Sequence, residues 1–182
     1  MISNFTKKRD WPEKIFPWIG SLLFLPVLIY FIINRGAFNF IDYINLLIHE
    51  GGHGIFGILG EWPGTAGGTL MQIIIPSLFA AYYAYHRKKT GFQFSLFWLG
   101  ESLMNVSVYA ADARARKLPL LGGNKVYHDW TWMLSRLDLM AYDTLIGEIF
   151  FYAGVLCFLL LLAAPLYVKK KDVYQNPVEL DL

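Results

Sequence analysis

Charge is what this chain has least of. Asp, Glu, Lys and Arg make up 16% of its 182 residues, and hydrophobic residues reach 55%. An ordinary soluble domain carries roughly 25% charged residues, so this balance argues against a free-standing soluble fold and for a chain embedded in lipid. The net charge of +2 is too small for a nucleic-acid binder, and no nucleic-acid partner is expected. Cysteine occurs once, at Cys157, which excludes an intrachain disulfide and a cysteine-rich zinc module. Set in an apolar run, Cys157 reads as core.

What is present comes in blocks. The length suits one domain. Basic residues cluster at Lys7-Lys8-Arg9, Arg87-Lys88-Lys89, Arg114 to Lys117 and Lys169-Lys170-Lys171, as anchors do at the edges of membrane spans. Between them the sequence predicts spans over about 15–33, 40–60, 69–85, 92–111 and 144–168, after a polar basic lead-in at 1–14. A loop over 113–142 holds Trp130 to Leu134, which could lie along the interface, and a polar tail covers 169–182. The expected fold is therefore all-α: a multi-pass transmembrane helical bundle of about five spans with one interfacial loop region. The expected location is an integral membrane one, the plasma or inner membrane in a bacterium. Basic residues divide almost evenly between the two faces, so charge bias assigns no orientation.

Glu61-Trp62-Pro63-Gly64-Thr65-Ala66-Gly67-Gly68 is dense in helix breakers and is expected to be a loop. Gly51, Gly54, Gly57 and Gly60 recur every third residue, a stripe that lets a neighbouring element approach the second span. In the third span Gln72 needs a polar partner and Pro76 is expected to kink the helix. On the fourth, Glu101, Asn105 and Asp112 fall on one helical face with Tyr109 at its edge. That face is expected to meet protein or water rather than lipid.

Chemistry concentrates in His49-Glu50-Gly51-Gly52-His53, an H-E-x-x-H pattern inside the second span. On a helix, residues four apart leave the same face about one turn apart, so His49 and His53 can ligate one zinc ion. Glu50 stands beside them as a general base. A single charged residue at mid-membrane costs about 2.5–3.5 kcal/mol on insertion scales, so three ionisable groups in five residues need something to neutralise or hydrate them. A third protein ligand is expected. Asp112 at the end of the fourth span and His128 in the loop are the candidates, because His86 falls on the opposite membrane face.

These residues resemble the site-2 protease class of intramembrane zinc metalloproteases, peptidase family M50. In that family a transmembrane H-E-x-x-H is followed, on a later span, by an aspartate ligand preceded by an asparagine in an N-x-x-P-x-P-x-L-D-G pattern. Here Asn105 stands seven residues before Asp112, without the prolines or the final glycine. The resemblance implies His49, His53 and Asp112 as zinc ligands, Glu50 as the catalytic base and Asn105 as a residue that positions substrate. A rigid helix holds a ligand better than a loop, so Asp112 is preferred and His128 is second choice.

The expected function is that of a membrane-embedded, zinc-dependent peptidase that hydrolyses a peptide bond within or near the bilayer. Its expected partners are a membrane protein or peptide substrate and the lipid bilayer. Two alternatives use the same residues: a non-proteolytic membrane protein that binds or transports metal, and a catalytically inert M50-like protein that binds a partner.

Overall fold

Backbone amides shielded by so many apolar side chains have to be satisfied within the chain, and helices do so locally. The computed structural model describes residues 15–35, 37–118 and 127–168. The lead-in at 1–14, residues 119–126 of the expected loop and the tail at 169–182 lie outside the described residues, within which there is no strand. The described residues form six helices: α1 (Ile19–Ile33), α2 (Phe40–Gly57), α3 (Glu61–Tyr85), α4 (Lys89–Ala111), the short α5 (Asp129–Arg136) and α6 (Asp143–Tyr167). A 3-10 turn at Phe16–Trp18 leads into α1, and another at Met140–Tyr142 leads into α6.

The long helices pack in the order α2, α3, α4, α6, α1, with α2 at one end and seated mainly on α3. The core between α1, α4 and α6 is built from Leu28, Phe31, Leu96, Met104, Phe151, Phe158 and Leu161. Outward-facing positions are also apolar: Leu23, Leu47, Leu78, Leu156 and Leu166 are exposed, a surface suited to lipid tails. By length and composition three helical stretches can cross a membrane: Phe16–Ile33, Glu61–Tyr85 and Met140–Tyr167. The sequence reading of about five spans goes further than these criteria. Helices α2 and α4 fall outside them because they carry Asp42, Asn45, His49, Glu50, His53, Glu101 and Asn105.

The expected loop at 61–68 is helical and forms the first two turns of α3. Pro63 is tolerated there because the first turn has no intrahelical partner for its missing N–H. The glycines serve contact rather than turning. A Cβ on Gly67 would lie 2.5 Å from the Gly52 carbonyl oxygen, and one on Gly68 would overlap the His49 ring. Two helices meet backbone to backbone here, which only glycine permits. The expected stripe at 51, 54, 57 and 60 is correspondingly shifted. Gly52 makes the close contact, whereas Gly51 and Gly54 face open space. The reversal between α2 and α3 falls at Gly60, whose φ of 113° suits glycine.

Helix α2 starts where a capping box starts it. The Asn39 side chain accepts from the Ile41 amide at 2.8 Å, and Asp42 Oδ2 accepts from the Asn39 amide at 2.6 Å. Within the loop over 113–142, the stretch expected at the interface forms a short helix that packs one side against α4. Trp130, Met133 and Leu134 are buried in one cluster with Val106, Ala110 and Ala113. Helix α5 is amphipathic, and burying its apolar side folds the start of the helix back over α2.

Candidate metal centre

The i, i+4 spacing in α2 turns both histidine rings into one cleft, edge to face with centroids 4.7 Å apart. His49 is buried, and its Nδ1 lies 2.8 Å from Gln72 Oε1. Gln72 donates through Nε2 to Asn105 Oδ1 at 3.0 Å, so its oxygen faces the ring and His49 Nδ1 is the donor. His53 Nδ1 lies 2.7 Å from the Gly64 carbonyl oxygen. A carbonyl only accepts, so this Nδ1 also carries a proton.

With both Nδ1 atoms committed, both Nε2 atoms are left to face the same place. Asp129 Oδ2 is there, 3.0 Å from His49 Nε2 and 3.3 Å from His53 Nε2. Two imidazole lone pairs and a carboxylate oxygen repel one another unless two further protons or one cation lie among them. The three ligand atoms all fall within 4.8 Å of one another, a span that a single ion can bridge. Two imidazoles with one carboxylate, each ring fixed by an Nδ1–H···O bond, is a donor set that suits zinc with a position left open.

Asp129 reaches this place as the first residue of α5. Tyr109 of α4 seats it twice: the phenol donates to Asp129 Oδ2 at 3.1 Å, and the Asp129 amide donates to the phenol oxygen at 3.2 Å. Burial pushes the Asp129 carboxyl up, but when the two rings carry protons on Nε2 their hydrogen bonds more than reverse this and hold it at about 2. The group is an anion.

The candidates drawn from the sequence separate here. His49 and His53 converge, and Glu50 lines the same cleft. The structure brings Asp129 to the pair, not Asp112. Asp112 ends α4, and its carboxylate accepts the backbone amides of Lys117 and Leu118, both at 2.9 Å. A polar side chain at the end of a helix has unpaired amides of the following turn within reach, and Asp112 is spent on them. His128 is the N-cap of α5, its Nδ1 accepting from the Thr131 amide at 3.3 Å. The proton of this neutral ring is therefore on Nε2, which faces Asp112 Oδ2 at 3.6 Å. Burial keeps the ring neutral by lowering its pKa. Both nitrogens are thus unsuited to a metal. Asn105 has both ends of its amide engaged, with Gln72 and with Asp42.

Sequence reasoning missed Asp129 as the partner of the histidine pair. The signal was the run Asp129 to Arg136: a short amphipathic helix whose first residue points wherever its apolar side is buried.

The cleft between α2, α3 and α4 has a volume of about 1010 Å³. Phe38, Tyr43, Leu46 and Val108 line it beside His49, Glu50, His53 and Asp129, so an apolar chain can lie against the polar group. Compared with protein-family models, with curated proteins and with solved structures, the chain matches none.

Proposed function

We propose that this chain is a multi-pass membrane metallopeptidase, in which His49, His53 and Asp129 hold one zinc ion and Glu50 is the general base. One observation carries the reading: the Nε2 atoms of two histidines and a carboxylate oxygen converge beside a glutamate on the wall of an open cleft. On this reading α2 and α4 also lie in the bilayer, giving five spans. The reason is that their polar groups bond to each other: Asn105 to Asp42 at 2.6 Å and Asn45 to Glu101 at 2.6 Å. Polar side chains satisfied across a helix pair can be carried in lipid.

Zinc in this place would act as a Lewis acid on the scissile carbonyl and raise the acidity of the attacking water. The chain's own residues do the rest. Glu50 takes a proton from the water as its oxygen bonds to the carbonyl carbon, then gives that proton to the departing amine as the C–N bond breaks. His49 and His53 stay oriented through Gln72 and Gly64. The apolar cleft wall holds the peptide and keeps bulk water away. The likeness to M50 proteases in His49-Glu50-Gly51-Gly52-His53 supports peptide hydrolysis over metal transport, because transport has no use for a base next to the ligands.

The test is metal analysis of the purified protein together with hydrolysis of quenched transmembrane peptides. About one zinc per chain is expected in the wild type, lost in His49→Ala and Asp129→Ala. Glu50→Gln is expected to keep the zinc and lose hydrolysis. Full turnover in Glu50→Gln would overturn the mechanism, and equal zinc in wild type and His49→Ala would overturn the site.

A further inference from the structure

The buried polar side chains between α2, α3 and α4 form one chain of hydrogen bonds, and it has a direction. Asp42 is 1% exposed and accepts three N–H groups: the Asn39 amide and Asn39 Nδ2 on Oδ2, and Asn105 Nδ2 on Oδ1. A carboxylate has no N–H to offer, so Asn105 must turn its Nδ2 to Asp42 and its Oδ1 to Gln72. Gln72 must then turn Nε2 to Asn105 and Oε1 to His49. His49 in turn can only meet that oxygen with a proton on Nδ1, which leaves Nε2 free to face the cleft.

We propose that Asp42, Asn105 and Gln72 are positioning residues that set the tautomer of His49 from the capping box of α2. This rests on the metal site argued above and extends it to three residues outside the ligand set. An asparagine facing a glutamine is indifferent to direction, since each amide has a donor and an acceptor end. Only an end group already committed as an acceptor removes the choice, and Asp42, which takes three N–H groups on its two oxygens, is that group.

Asp42→Asn tests the idea because it should reverse the whole chain. The Asn39 backbone amide still demands an acceptor, so the oxygen of the new side chain takes the place of Oδ2 and its NH₂ faces Asn105. Asn105 must then flip, Gln72 must flip after it, and His49 meets an N–H donor at Nδ1. The ring gives up that proton and carries one on Nε2 instead, where the metal would bind.

The measurement is the ¹⁵N spectrum of histidine-labelled full-length protein in detergent, with His49 identified by its loss in His49→Gln. In the metal-free wild type His49 Nδ1 is expected to be protonated. In Asp42→Asn a signal of unprotonated Nδ1 is expected, with zinc affinity falling on the order of 10–100-fold. Protonated Nδ1 with unchanged zinc affinity in folded Asp42→Asn would overturn the proposal. Should that variant not fold, Gln72→Leu, which removes the acceptor, decides by the same two readouts. The metal-free spectrum stands apart from the metal reading: a wild type that binds no zinc refutes the metal site, and the Nδ1 signal still decides the direction of the chain.

Discussion

Gly68 of α3 lies directly against the imidazole of His49, so close that a Cβ there would sit 2.6 Å from the ring's Cδ2. The ring also meets Tyr109 edge to face, with centroids 5.7 Å apart. A methyl group at position 68 must therefore displace the ring or the helix. For Gly68→Ala we expect a loss of about 1–3 kcal/mol in stability from overpacking, with zinc affinity reduced. Gly51→Ala is the matched control. Nothing lies within 4 Å of its added Cβ, and replacing glycine in a helix interior favours folding by roughly 0.5–1 kcal/mol. Thermal melts and zinc titrations of the two variants read both quantities, and equal behaviour would refute the packing argument.

The third ligand is decided by three alanine variants compared side by side. Asp129→Ala is expected to strip zinc from folded protein. Asp112→Ala and His128→Ala are expected to retain it, since Asp112 is bound to the amides of Lys117 and Leu118 and His128 caps α5. Zinc lost in Asp112→Ala with retention in Asp129→Ala would reverse the assignment.

Helix α5 places Asp129 by burying its apolar face, and Leu134 is 2% exposed within it. Leu134→Ala is expected to cost about 2–5 kcal/mol if the whole fold bears the cavity. It is expected to cost zinc affinity if α5 loosens by itself. Amide hydrogen exchange separates the two outcomes: protection lost only at α5 marks local loosening, and protection lost throughout marks global destabilisation.

Acid should remove the metal by way of the imidazoles rather than the carboxylate. Asp129 is held at about 2 by its histidine partners, so it stays ionised well below neutrality. Each Nε2 binds a metal only without its proton, and two rings compete with two protons. Zinc affinity is therefore expected to fall as pH falls, approaching about 100-fold per pH unit once both rings bind protons in the free state. Zinc titration at stepped pH measures the slope. A slope of zero across the acidic range would exclude histidine ligation.

Helix α2 and its converging histidine pair were readable from spacing because a helix brings i and i+4 together whatever surrounds it. The polar face of α4 was readable for the same reason, and Glu101 and Asn105 do meet protein partners across it. The start of α3 was misread because glycine and proline have two uses. Local chain stiffness argues for a turn at residues 61–68. The need of His49 and Gly52 for a neighbour without side chains puts a helix there. The carboxylate that joins the histidine pair lay beyond any local rule. Asp129 and His128 are adjacent in sequence, and which of them faces His49 depends on how α5 rolls as Trp130, Met133 and Leu134 find their places against α4. Periodicity sets which side of a helix is apolar, but the angle at which that side is buried is a property of the surface that receives it.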